Sequence, residues 1–301
     1  MSDFLGHAAP TTSLSLPALL DRAISDRQPL VAPGCYDALS ARLVEQAGFD
    51  AVYMTGFGTT ASLLGRPDVG LLGLSEMVDN ARRITATITV PLIADADTGY
   101  GNPINVIRTV REYERAGVAA LHIEDQVMPK RCGHMENKQV VDTASMTAKI
   151  RAAVAARNSA EFLVIARTDS RATHGLDEAL RRASAFADAG ADILFVEALV
   201  GEDEIERVAT EFSGLPLLFN WAEGGKTPPL TYDEIATLGF ALIIMPIGTL
   251  LAATAAMQRF LRQLKEAGTP APFVDELMSF GAFTDIVGLP DVVALDENFT
   301  D

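Results

Sequence analysis

The sequence predicts an α/β protein of the TIM-type (β/α)8 barrel class, and three observations predict it. Eight short apolar runs, rich in Val, Ile, Leu and Ala, each end in polar residues or glycine and lead into an amphipathic stretch rich in Ala, Glu and Arg. The runs are almost continuously apolar, which means that both faces of each strand are buried, as in a parallel sheet covered by helices. The chain has 301 residues, a length that suits eight βα units around one barrel.

The runs fall at Leu30–Pro33, Ala51–Thr55, Pro91–Ala94, Ala119–Ile123, Phe162–Ala166, Ile193–Val196, Leu217–Phe219 and Leu242–Met245. Four of them follow the same punctuation: "QAGFDAVYM", "RAGVAALHI", "DAGADILFV" and "TLGFALIIM". Each has a glycine just past a helical stretch, where a left-handed cap turns the chain into a strand. A doubly wound open sheet is the alternative. It would not need eight equivalent units, and no Gly-rich phosphate loop follows the first run. No low-complexity linker divides the chain, so residues 1–301 read as one barrel domain. Residues 272–301 lie beyond the eighth unit and are apolar enough to need burial, which marks them as an oligomerisation extension against a neighbouring subunit.

Composition excludes several function classes. The net charge is −16 with a pI near 4.6; such a surface repels a phosphate backbone, so no nucleic-acid partner is expected. An anionic substrate would need a local basic pocket. Two cysteines make no disulfide framework and point to a reducing, cytoplasmic setting. The first residues, "MSDFLGHAAPTTSLSLPALL", lack the basic and apolar regions of a secretory signal. No run reaches the roughly 18 apolar residues of a membrane span.

In a barrel the chemistry lies where strands end. The third run ends "ADADTGYG", which sets Asp95 and Asp97 two apart and hence on one face of the strand. Two like charges side by side call for a cation. With Glu124 from the neighbouring run they form a hard, all-oxygen cluster suited to Mg²⁺ or Mn²⁺. Alternatively Asp97 only caps the turn before Gly99 and Gly101.

The fourth run leads into "EDQVMPKRCGH", where Cys132 stands among Lys130, Arg131, Gly133 and His134. A thiol exposed among cations should have a lowered pKa and oxidise easily, a liability that makes sense if it transfers a proton. Gly133 allows the loop to fold inward and close. The other reading is a solvated basic turn. Cys35, among small residues at the end of the first run, reads as packed. Arg167 in "ARTD" suits bidentate pairing with a substrate carboxylate, or a structural ion pair with Glu197 or Asp169.

Taken together, the stretches "PGCYDALSARLVEQAGF", "TGFGTTASLLGRPDVGLL", "DADTGYG", "HIEDQVMPKRCGH", "IARTDS", "FVEA" and "EGGKTP" resemble the isocitrate lyase/phosphoenolpyruvate mutase superfamily, in its order and over about residues 30 to 250. Lys-Arg-Cys-Gly-His is similar to the signature of its carbon–carbon lyase branch, whose substrates include 2,3-dimethylmalate and 2-methylisocitrate. The resemblance implies a (β/α)8 barrel, a Mg²⁺ site and a homotetramer in which the C-terminal helix is exchanged between paired subunits. It further implies that Asp95 and Asp97 hold the metal, with Glu124 and Asp68 supporting through water. Tyr53, Thr55, Gly56 and Phe57 match the element that holds the 2-oxo acid, although Thr55 stands where many relatives carry Ser. Arg167, Glu197 and Asn220 match the substrate-binding strand ends, and Cys132 matches the residue that protonates the carbanion.

The expected reaction is retro-aldol cleavage of a small anionic 2-hydroxy dicarboxylate to a 2-oxo acid such as pyruvate plus a second carboxylate. Lys130, His134 and Gly133 would act with Cys132 in a closing loop, and Tyr53 is a candidate base for the hydroxyl. Oxaloacetate decarboxylation and phosphonate processing are alternatives in the same metal site. The resemblance implies that the branches carrying out those reactions lack a cysteine at the position of Cys132. An anion-binding barrel without catalysis would not preserve these strand ends.

Overall fold

The computed structural model describes residues 14–133 and 137–299. The eight predicted runs are its strands: β1 Leu30–Cys35, β2 Val52–Met54, β3 Leu92–Asp95, β4 Ala120–Glu124, β5 Leu163–Thr168, β6 Ile193–Val196, β7 Leu218–Asn220 and β8 Leu242–Met245. Their order, β6-β5-β4-β3-β2-β1-β8-β7, is that of a rolled sheet, and each pairing is parallel. At the seam, β6 meets β7 through a parallel bridge between Leu194 and Leu217. The sheet is therefore a barrel, not the open doubly wound alternative.

Alternation along the strands divides the core in two. Tyr53, Ile93, Ile165, Phe195, Leu218 and Ile244 fill the barrel interior. Val52, Met54, Leu92, Leu121, Ile123 and Val164 face outward under the helices. The floor is closed by a helix, Leu16–Asp26, whose buried Leu16, Leu19, Leu20 and Ala23 belong to the interior cluster. Their spacing is the i, i+3, i+4, i+7 stripe of a helix with one buried face. With one end plugged, the mouth at the strand C-termini is left for chemistry.

Beyond β8 the chain forms helices Gly248–Ala267, Phe280–Ile286 and Leu289–Glu297, none of which has a buried residue within this chain. Phe280 is 83% exposed and Met278 59%. Among the described residues no helix is long and apolar enough to cross a membrane.

Candidate active site

A cavity of about 210 Å³ opens at the strand C-termini. It is lined by Tyr53, Thr55, Phe57, Asp68, Asp95, Glu124, Lys130, Cys132, Gly133, Arg167, Glu197 and Asn220. Gly56 and Asp97 lie immediately behind this wall, and His134 lies outside the described residues.

The turn after β3 fixes the acidic side. Asp97 has φ 47°, and its backbone N–H donates to Asp95 Oδ1 at 2.9 Å. The N-terminus of helix Gly56–Leu64 abuts the other Asp95 oxygen, with Gly56 N–H donating to Oδ2 at 3.2 Å. A Cβ on Gly56 would collide with that oxygen, so glycine is required for the approach. Thr55 caps the same helix, its Oγ1 accepting from Gly58 N–H at 3.2 Å. The carboxylate thus meets the positive end of a helix.

Lys130 does not stand beside the thiol as a solvated charge, as the basic-loop reading had it. Its side chain is 3% exposed, and Nζ lies 2.7 Å from Asp68 Oδ2 and 2.7 Å from Asp97 Oδ1. Buried carboxylates without a cation would be strongly unfavourable, and they draw the ammonium inward. Arg131 remains exposed; its backbone is held by the Gln126 side chain, which accepts from Arg131 N–H at 3.0 Å and donates to its carbonyl at 2.7 Å.

Arg167 has a structural pairing as well as a place in the cavity wall. Its Nε and Nη2 donate to Asp169 at 2.9 and 3.1 Å, and Nε lies 3.2 Å from Glu124 Oε2. Asp169 in turn is bound by the buried Lys138 ammonium at 2.7 Å, which also donates to the Gly133 carbonyl. Burial works against ionisation of Asp169, but the Arg167 and Lys138 charges outweigh it and hold its carboxyl below the usual carboxylate range. Gly133 sits so close to Arg167 and Glu197 that a Cβ would collide with both. Cys132, half-buried, is thereby presented to the cavity. Opposite, Asn220 Nδ2 donates to both Glu197 oxygens at 3.2 Å.

Four further residues were given no role by sequence, although His122 and Glu223 stand at predicted strand ends. Gln126 and Lys138 secure the loop; an isolated Gln or Lys has no sequence signal, since its role depends on loop packing. Glu223 lines the cavity and accepts from Ile247 N–H at 3.1 Å at the start of the long helix. His122 is fully buried, and its Nε2 lies 2.8 Å from the Tyr53 hydroxyl and 3.6 Å from Asp95 Oδ1. Burial pushes the imidazole down to about 4. Burial, and then the Asp95 charge, push the Tyr53 phenol well above its ordinary value. Cys35 is buried and its thiol pushed up by burial, as the packed reading expects.

Hard oxygen donors dominate the acidic side. Asp68, Asp95, Asp97 and Glu124 are all buried, and Lys130 is the ammonium among them. Burial, then the Asp95 and Asp68 charges working against the Lys130 charge, push Asp97 up to about 7. Glu124 is also raised, by burial above all, and its Oε1 has no hydrogen-bond partner among the described residues. Among the described residues these side chains do not converge into a set of three or more ready to hold an ion. The donor chemistry and the excess of buried carboxylate nonetheless fit a hard divalent cation that keeps part of its water shell.

The sequence pattern of the phosphoenolpyruvate phosphomutase family matches residues 21–265. The chain is 46% identical to the 2,3-dimethylmalate lyase of Eubacterium barkeri, over 94% of this chain and 97% of the relative. It is 44% identical to the 2-methylisocitrate lyase of Aeropyrum pernix, over 91% and 87%. Among solved structures, that of a 2,3-dimethylmalate lyase superposes with TM-score 0.88 at 44% identity, covering 95% of this chain and 96% of the other. A phosphonopyruvate hydrolase in complex with oxalate and Mg²⁺ superposes with TM-score 0.85 at 31% identity, covering 94% and 99%.

Proposed function

The chain belongs to the phosphoenolpyruvate mutase/isocitrate lyase superfamily, and on that premise we propose that it is a Mg²⁺-dependent carbon–carbon lyase. Its substrate is a 2-hydroxy dicarboxylate of the 2,3-dimethylmalate or 2-methylisocitrate type, cleaved by retro-aldol chemistry to a 2-oxo acid such as pyruvate and a second carboxylate. The observation that carries this reading is that Cys132 shares one cavity with Asp95, Glu124 and Arg167. An acid able to protonate carbon thus faces a metal-type carboxylate cluster and a carboxylate clamp.

Asp95 and Asp97 would hold the metal, with Glu124 and Asp68 around it directly or through water; Mn²⁺ could replace Mg²⁺. When bound, the cation supplies positive charge against the oxygens of the 2-hydroxy acid. Arg167, with Glu197 and Asn220, orients a substrate carboxylate. Thr55, Gly56 and Phe57 form the wall that receives the 2-oxo acid. A base takes the hydroxyl proton, the carbon–carbon bond breaks to release the 2-oxo acid, and its electrons pass into the carboxylate next to the other carbon to give an enediolate. Cys132 then delivers its proton to that carbon. Lys130 and Gly133 belong to the loop that presents the thiol, and His134 follows Gly133 in the sequence. Phosphoryl migration within a phosphonate would leave Cys132 without a task.

The enzyme we infer is a cytoplasmic homotetramer. Its two cysteines are free thiols, which suits a reducing compartment. Residues 272–301, exchanged between paired subunits, would cover the apolar helices that one chain leaves exposed.

The test is a panel of 2-hydroxy dicarboxylates assayed for pyruvate or glyoxylate release with Mg²⁺ present. Release from a dimethylmalate- or methylisocitrate-type substrate is expected. Turnover of oxaloacetate or a phosphonate alone would replace the reading.

A further inference from the structure

We propose that His122 fixes the direction of the Tyr53 hydroxyl, so that Tyr53 donates a hydrogen bond into the cavity and is not the base that takes the substrate's hydroxyl proton. Two features of the imidazole carry this. Its Nδ1 is buried and has no hydrogen-bond partner among the described residues. Its Nε2 faces two oxygens, the Tyr53 hydroxyl at 2.8 Å and Asp95 Oδ1 at 3.6 Å.

A single imidazole proton has two places to go. On Nδ1 it would be a buried N–H with no acceptor among the described residues, which is rare in proteins and unfavourable. The bare Nε2 lone pair would then point toward a carboxylate oxygen. On Nε2 the proton has the Tyr53 oxygen as acceptor and the Asp95 charge beside it. Adding a second proton would not change this, because Nε2 would still carry one. Ring packing holds the geometry: Tyr53 stacks on His122 at 5.8 Å and 16°, and His122 meets the edge of Phe195 at 5.8 Å and 87°.

With its oxygen already accepting from Nε2–H, the Tyr53 O–H must turn elsewhere, and Tyr53 lines the cavity. A phenol is ordinarily protonated at neutral pH. On the lyase reading, Tyr53 then donates to a substrate oxygen that gains negative charge as the bond breaks. His122 is the positioning residue, acting through Tyr53.

The direct test reads the tautomer in the folded protein. The chain has four histidines, so ¹⁵N NMR of histidine-labelled protein is tractable, with His7, His134 and His174 removed in turn to isolate the fourth signal. The result expected for His122 is a protonated, pyrrole-like Nε2 and a bare, pyridine-like Nδ1. A proton on Nδ1 with a bare Nε2 overturns the proposal. This reading needs no turnover, so it stands or falls separately from the choice of substrate.

Kinetics give the second readout. Tyr53→Phe should lower kcat about 100-fold with KM little changed, as for loss of a donor to charge that develops in the transition state. His122→Gln keeps an N–H that can reach Tyr53 and should retain most of kcat. His122→Leu should lose about as much as Tyr53→Phe, and should add no further loss in a Tyr53→Phe background. Independent, additive losses would overturn the coupling.

Discussion

Lys130 Nζ lies 2.7 Å from Asp97 Oδ1, so the loop that carries Cys132 is tied directly to the acidic turn after β3. That contact brings the acid and the metal-type cluster into one structural unit. It also makes the state of Asp97 a sensitive reporter of the site.

Asp97 is pushed up to about 7 from an ordinary value of 3.8, by burial first. For a raised carboxyl the folded state favours the protonated form. In chelated protein, this group therefore disfavours folding progressively as pH rises from 3.8 to about 7, and fully above that. A divalent cation needs the carboxylate, so binding below pH 7 must displace a proton. After chelation, added Mg²⁺ should raise Tm more at pH 8 than at pH 6, and it should restore turnover lost to the chelator. Equal shifts at both pH values, or full activity in exhaustively chelated protein, would count against the site.

Gly133 touches Arg167 and Glu197 where a Cβ would collide with both. Gly133→Ala should therefore push Cys132 out of line while leaving the barrel intact. A displacement of about 1 Å at a reacting group can cost about 100-fold, and kcat/KM should fall on that order with Tm nearly unchanged. Normal kinetics in this variant would show that the loop need not seat there.

Lys138 is the buried partner of Asp169 at 2.7 Å. Lys138→Met leaves that carboxylate with Arg167 alone and releases the Gly133 carbonyl. Removing one partner of a buried pair is typically worth about 3–5 kcal/mol, and urea unfolding should show a loss of that order together with reduced kcat. A variant as stable and as active as the parent would place Lys138 outside the account.

The barrel was legible because its strands are buried on both faces, so they appear as nearly continuous apolar runs such as "LIIM". Asp95, Asp97, Glu124 and Arg167 were legible as ionisable residues at strand ends, where a purely packed barrel has no use for them. The floor helix has an equally regular stripe, Leu16 to Ala23, but it precedes the first strand and so falls outside the βα repeat. What the sequence could not announce is pairing across distant segments. Lys130 reads as one charge in a basic loop until the fold brings Asp68 to it from 62 residues away. His122 reads as one polar residue in an apolar strand until the barrel brings Tyr53 to it from β2.

The three α-helices after β8 have no buried residue within one chain, and Phe280 is 83% exposed. Light scattering at micromolar concentration should give a tetramer. Deleting residues 272–301 should give a smaller or aggregating species. A monomer of the full chain would contradict the oligomerisation role.

The central claim is that Cys132 protonates carbon, and kinetics of Cys132→Ser test it most directly. The hydroxyl is close in size, so the loop should still seat and KM should change little. A hydroxyl is a far weaker acid than a thiol, so kcat for carbon–carbon cleavage should fall by about 10²–10⁴-fold, the usual worth of general acid catalysis. Cys35→Ser should leave kcat near that of the parent, because that thiol is packed away from the cavity. Near-parental lyase turnover by Cys132→Ser would contradict the account.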